Sequence, residues 1–223
     1  MNPITPAGQL AQAAALRSDQ LACSYMGRKF TFAELMKLSE DCARSFAAIG
    51  VHEGCRVMLH MPLIPQALSC FYGINMLGAA AVILDSVPPD ECIGAAEIRA
   101  LVTTDTLYGS LENIHDLPTT IVARPQDTMG TIKKLSYIFT EGRSAEKIND
   151  DYGLLSWDAF MLGGRAFRGE HSCTEDAERS ALILYGSETI SLSNADFLSS
   201  ESDTPIIRLH HDIMGGKCPE LDL

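Results

Sequence analysis

The sequence predicts an α/β fold, a mainly parallel sheet with helices on both faces, from three observations. A capped amphipathic helix leads into a strand–helix–strand unit with short links, ending at residue 85. The same rhythm of short apolar strands and helical stretches repeats up to residue 125 and resumes at residue 180. AAAVILD at 79–85 is a continuous apolar run, as expected of a strand covered on both faces, and SALILYG at 180–186 reads as a further strand.

The first element is TFAELMKLSEDCARSFAAIG. Thr31 and Glu34 have the spacing at which a hydroxyl and a carboxylate satisfy a helix's first free amides. Phe32, Leu35, Leu38, Cys42, Phe46 and Ile49 then share one helical face, and Gly50 supplies the left-handed cap. A helix over 31–49 is expected. In VHEGCRVMLHM, Gly54 ends a turn and Val57, Leu59 and Met61 belong to a strand. Pro62 and Pro65 open a second helix, PQALSCFYGINMLG, closed by Gly78 before the strand at 79–85. Such a unit is a right-handed crossover, so the strands at 57–61 and 80–84 are expected to be parallel.

Further along, ECIGAAEIRA reads as a helix, LVTTD as a strand, TLYGSLENI as a helix and TTIVARP as a strand. From Gln126 to Gly169 the pattern loosens around Ile132–Phe139 and the single Trp157, and this stretch reads as a surface excursion. SALILYG restores a strand and NADFLSS begins a helix. After Ser200 no periodicity is read, so 1–200 is taken as one domain and 201–223 as an irregular tail.

Seventeen Lys and Arg against 29 Asp and Glu give a net charge of −12, which argues against DNA or RNA as a partner. A small anionic substrate is compatible with that charge, because a pocket can carry local positive potential on an acidic protein. The N-terminal stretch lacks a basic region followed by an apolar one, and no eighteen apolar residues run together, so no membrane span is expected. Seven scattered cysteines without a CxxC pair suit reduced, packed thiols and a cytoplasmic location.

GRKFTFAELMKLSEDCARSFAAIGVHEGCRVMLHMP resembles the start of the adenylate-forming acyl- and aryl-CoA synthetases, where a "T(Y/F)xEL" helix leads through "GvxxGDrV" into a strand. Cys55 stands where those proteins usually have aspartate. PQALSCFYGINMLGAAAVILD is similar to the helix and strand that follow, and GLLSWDAFMLGG to a segment shortly before the nucleotide loop. The resemblance covers residues 20–198 and implies the N-terminal subdomain of an adenylate-forming enzyme. It further implies ATP with Mg²⁺, a carboxylic acid and CoA as reactants. The family's adenine, ribose and Mg²⁺ motifs and its adenylation lysine are expected beyond Leu223.

The family's phosphate loop reads "ALILYSGGTTGxPKGIxLSNxNF", against ALILYGSETISLSNADF here. Tyr185, Gly186, Ser187 and Thr189 are the remnant that the resemblance assigns to nucleotide binding. Ile190, Leu192, Ser193, Asn194 and Phe197 match from the other side. Between the tyrosine and the leucine the family has twelve residues and this chain has six, the loss corresponding to "TGxPKG". Glycine amides cradle phosphates at close range and a lysine adds charge, so the loop is expected to be broken, with Glu188 adding repulsion.

His210-His211-Asp212 reads as a solvated loop rather than a metal site, since adjacent histidines diverge and no third ligand has suitable spacing. The resemblance offers another reading, in which Pro205, His210 or His211, and Gly215 are the remnant of a motif lining the acyl pocket. No GxSxG elbow supports a serine hydrolase. Cys173 beside His171 reads as an ordinary thiol, Met58, Met61 and Met76 as core, and Lys133 with Lys134 as a solvated face. Two function classes remain: ligase ancestry, and a non-catalytic, degenerate domain that binds a partner or nothing specific. A partial domain is also expected to self-associate through uncovered apolar faces.

Overall fold

A computed structural model describes residues 3–84, 88–95, 97–109, 111, 119–127 and 153–221. The chain begins with α1 (Pro6–Leu16), capped by Thr5, whose Oγ1 accepts from the Gly8 amide at 2.9 Å. A hairpin follows, β1 (Leu21–Tyr25) and β2 (Arg28–Thr31), closed by Met26 and Gly27 at φ 46° and 79°. Two consecutive left-handed residues match the strands' twist, which explains a strained non-glycine at the first.

Helix α2 (Phe32–Ala48) starts as expected: the Glu34 amide donates to Thr31 Oγ1 at 3.2 Å, and the Thr31 amide donates to Glu34 Oε2 at 2.9 Å. Gly50 lies at φ 82° just past its end. Then come β3 (Arg56–His60), α3 (Pro65–Met76) and β4 (Ala80–Leu84), with Val57 paired in parallel to Ala81. Helix α3 is buried along its length from Pro65 to Asn75, as suits a helix apolar on all sides.

The sheet continues through α4 (Pro89–Ala95), β5 (Ile98–Thr104), the one-turn α5 (Asp105–Tyr108), β6 (Thr119–Ala123), β7 (Leu154–Ser156) and α6 (Trp157–Ala166). It ends with β8 (Ser180–Tyr185), β9 (Ile190–Ser193) and α7 (Asn194–Ser199). Helix α8 (Pro205–Met214) and β10 (Glu220–Leu221) complete the described chain. Seven strands form one sheet in the order β7-β6-β5-β3-β4-β8-β9, parallel throughout except for the β8–β9 pair. A smaller sheet has the order β10-β1-β2.

Strand residues alternate between two cores. Val57, Leu59, Ala81, Ala100, Val102 and Leu182 join a core that also holds residues of α1, α2, α3 and α6, while Met58, Val82, Leu101 and Ile183 join a second one with Cys92 of α4. The period of two thus puts helices on both faces of the sheet, as expected of its continuous apolar strands.

Four expectations need correction. The tail taken as irregular contains α8, whose Ile206, Leu209, His210 and Ile213 form a buried face at helical spacing, and its β10 pairs with β1. Part of the supposed surface excursion belongs to the sheet: β7 pairs with β6, and Trp157 and Phe160 are buried beneath it. The segment read as one helix at 91–100 breaks after Ala95, and Ile98 already belongs to β5. Of TLYGSLENI, residues 106–108 are helical within α5 while Gly109 and Leu111 are not, and residues 110 and 112–114 lie outside the described residues. Ile132–Phe139, with Lys133 and Lys134, also lies outside them.

Candidate functional site

The candidate phosphate turn sits at the carboxyl edge of the parallel strands, where open α/β sheets present ligand sites. Leu84 at the end of β4 is paired with Tyr185 at the end of β8. From β4 the chain crosses back beyond β3 to β5, whereas from β8 it turns outward into β9. The two departures therefore diverge beside Tyr185. Along the same edge, Thr103 Oγ1 lies 3.4 Å from His60 Nδ1, and Thr104 Oγ1 accepts the Leu107 amide at the start of α5. Burial pushes the neighbouring Asp105 carboxyl up, against the opposing pull of the Thr106 amide and Arg124.

The turn itself is a hairpin connection. Leu184 and Ile190 are its last paired residues, and Tyr185–Thr189 joins them. Tyr185 and Gly186 are half-buried, and Ser187, Glu188 and Thr189 are exposed. None of the five has a positive φ. A backbone nest that converges amides on an anion needs alternating right- and left-handed residues, so this turn forms none. One glycine, no lysine and an exposed carboxylate complete the inventory. These residues do not fit the phosphates of ATP.

The amides that follow are also committed. Ser193 caps α7: its Oγ accepts from the Asp196 amide at 3.1 Å, and Asp196 Oδ2 accepts from the Ser193 amide at 3.2 Å. The carboxylate of Asp196 already occupies the positive end of that short helix. Asn194 is buried; its side chain accepts from Asn75 Nδ2 at 2.8 Å and donates to the Asp176 carbonyl at 2.7 Å. The "LSN" residues thus hold α7 against α3.

His210 is fully buried, which overturns its reading as part of a solvated loop. Its Nδ1 lies 3.0 Å from the Tyr72 hydroxyl and its Nε2 3.0 Å from Gln9 Oε1. With the amide oxygen of Gln9 as acceptor, Nε2 carries the proton and Nδ1 accepts from Tyr72. Burial, and secondarily the charge of His211, lowers the His210 pKa to about 3, so the ring is neutral. Burial likewise raises the Tyr72 hydroxyl far above its ordinary value. His211 is half-buried, and its Nε2 lies 3.1 Å from the Ser200 carbonyl. The pair is therefore split: His210 ties α8 to α1 and α3, while His211 ties it to the end of α7.

The sequence-predicted residues fall in two places. Tyr185, Gly186, Ser187 and Thr189 share the β8–β9 turn, whereas His210 packs against Phe197 with ring centroids 5.3 Å apart. The Gln9–His210–Tyr72 chain went unread because its members lie in three distant segments. Its one sequence signal was the i, i+3, i+4, i+7 spacing of Ile206, Leu209, His210 and Ile213. Among the described residues, no three His, Cys, Asp or Glu side chains converge as a metal site. No helix there is long and apolar enough to cross a membrane.

Similarity to known proteins follows the same outline. Acetyl-coenzyme A synthetase of Magnetococcus marinus is 32% identical over 99 residues, which are 40% of this chain and 15% of that protein. Crotonobetaine/carnitine–CoA ligase of Salmonella paratyphi C is 26% identical over 98 residues, 42% of this chain and 19% of that protein. The chain therefore spans less than a fifth of the length of these curated relatives. Two solved structures share the fold: Brucella canis acyl-CoA synthetase and Pectobacterium brasiliense coronafacic acid ligase, at TM-scores of 0.72 and 0.68. They are 12% and 15% identical, cover 99% and 97% of this chain, and are themselves covered over 43% and 45% of their lengths. A profile of the AMP-binding enzyme family matches residues 10–189, from α1 to the last residue of the candidate turn. By that match, which spans most of its length, the chain belongs to the AMP-binding enzyme family.

Proposed function

We propose that this chain derives from an ATP-dependent carboxylic acid–CoA ligase and that, as this polypeptide, it does not form an acyl-adenylate. In the ancestral reaction a carboxylate attacks the α-phosphorus of Mg²⁺-bound ATP and releases pyrophosphate. The thiol of CoA then displaces AMP to give a thioester. Catalysis of the first step depends on amides and cations that stabilise charge developing on the phosphate.

The observation that carries the reading is the β8–β9 turn, with its five residues between paired Leu184 and Ile190, its lack of lysine and its exposed Glu188. Each missing charge-assisted contact removes about 1.5–3 kcal/mol. Two or three such losses weaken productive nucleotide binding by roughly two to six orders of magnitude. Pyrophosphate exchange and hydroxamate release, with ATP-Mg²⁺ and a panel of fatty and aryl acids, test the proposal. Activity indistinguishable from a protein-free blank is expected, and exchange above it overturns the reading.

The same turn, with no lysine and an exposed Glu188, favours a second reading, a non-catalytic domain that binds a partner. A cytoplasmic location accords with seven free cysteines, four of them buried. Self-association belongs to this second reading and is measured by sedimentation velocity.

A further inference from the structure

We propose that the groove between α2 and the segment following α6 binds a soluble ligand carrying two or more phosphate groups. The groove has a volume of about 670 Å³ and is lined by Lys37, Asp41, Arg44, Arg165, Arg168 and His171, together with Phe167 and Gly169. Four of the chain's 17 Lys and Arg residues thus meet in one recess of a protein whose net charge is −12. The site does not involve the β8–β9 turn and does not depend on the reading of it.

Packing brings the two halves of the groove together. Gly164 of α6 sits on Ser45 of α2 so closely that an added Cβ would lie 2.7 Å from the Ser45 amide nitrogen. Phe160 meets Phe46 edge-on with centroids 4.9 Å apart, which fixes the angle of approach. Past this contact, Arg165 and Arg168 stand across from the face of α2 that presents Lys37, Asp41 and Arg44 at one-turn spacing.

Local pairing leaves cationic charge over. Among the described residues, Asp41 is the one carboxylate lining the groove, and it already serves both Lys37, at 3.0 Å, and Arg44. Among the described residues, neither Arg165 nor Arg168 has an acidic partner. Arg168 uses Nη1 to cap the carbonyls of Arg165 and Phe167, which holds its guanidinium in place with Nη2 and Nε unspent. His171 Nδ1 lies 3.3 Å from the Gly169 carbonyl. Two guanidinium forks and an ammonium match several phosphates better than one carboxylate, because each fork takes two oxygens of one phosphate.

Calorimetry at low ionic strength tests the proposal, with inorganic tripolyphosphate and pyrophosphate as soluble probes and vesicles containing phosphatidylinositol bisphosphate as the lipid arm. Tripolyphosphate is expected to bind with a Kd below about 1 mM, more tightly than pyrophosphate, and to weaken as salt approaches about 0.5 M. The double variant Arg165→Gln/Arg168→Gln removes two exposed side chains and is expected to weaken binding at least about tenfold. Arg208→Gln, on the exposed face of α8, is expected to bind as the parent does. Urea midpoints establish that both variants remain folded. Absence of tripolyphosphate binding, equal binding by the double variant, an equal loss in Arg208→Gln, or binding to vesicles alone would each overturn the proposal. Exchange assays report on the nucleotide turn, and these titrations report on the groove.

Discussion

Lowering the pH from 7 to 5 should destabilise the protein by about 2 kcal/mol through His210 alone. The ring is fully buried, between the Tyr72 hydroxyl and the Gln9 amide, and burial sets its folded pKa at about 3. In the unfolded chain the same histidine titrates near an ordinary value of about 6.5. Below that value the unfolded state takes up a proton that the folded state refuses. Stability is therefore lost as the pH falls through about 6.5 and keeps falling, by about 1.4 kcal/mol per unit, until about pH 3. The replacement His210→Gln removes the titrating ring while retaining a polar group that can reach one of the two partners. Urea unfolding of parent and variant at pH 7, 6 and 5 measures the difference in slope. The variant should be less stable at pH 7, with the gap closing by about 2 kcal/mol at pH 5. Parallel pH dependences in the two proteins would refute the reasoning, because they would place the proton uptake elsewhere.

Gly164→Ala should cost about 1–3 kcal/mol, since its Cβ would lie 2.2 Å from Ser45 Oγ and 2.9 Å from the Ser45 Cα. An unchanged urea midpoint would show that α6 can lift away from α2. Thr31→Ala should cost about 1 kcal/mol by exposing the first amides of α2, with Thr31→Ser restoring most of it. Native-state labelling with a thiol reagent should modify exposed Cys218 first and spare Cys23, whose thiol burial pushes up to about 12. Equal labelling rates, read by mass spectrometry, would contradict the packing of β1.

The elements legible in the sequence are those whose physics is local. Thr31 and Glu34 cap α2 whatever surrounds them, and Gly50 can take its φ of 82° without partners. The parallel pairing of β3 with β4 follows from the length of α3 between them. What escaped depends on distant partners. Ile206, Leu209 and Ile213 outline the buried face of α8, but His210 counts as polar in any hydropathy pattern, and its burial depends on Tyr72 and Gln9 to satisfy its ring. Strand β7 has three residues, too few to display a period, and is a strand because β6 runs beside it. The position of the candidate turn was readable from the apolar run before it and the "LSN" after it. Its conformation was not, because β9 exists only through pairing with β8. The cationic groove was equally hidden, since Arg165 and Lys37 become neighbours only where Gly164 seats on Ser45.

The place of β8 in the sheet has a consequence for how the molecule comes into being. Strand β4 is flanked by β3 and β8, yet Ala81 must wait about a hundred residues of chain for its partner Leu182. Closing a loop of that size costs about 4 kcal/mol beyond the fixed term before any contact is returned. Until then β4 is a bare apolar edge, able to pair with any strand that passes, including one from another chain. Synthesis brings the rightful neighbour last, after β5, β6 and β7 have extended the sheet on its other side. Folding of this protein is therefore a race between the arrival of residues 180–185 and the capture of β4 by a stranger.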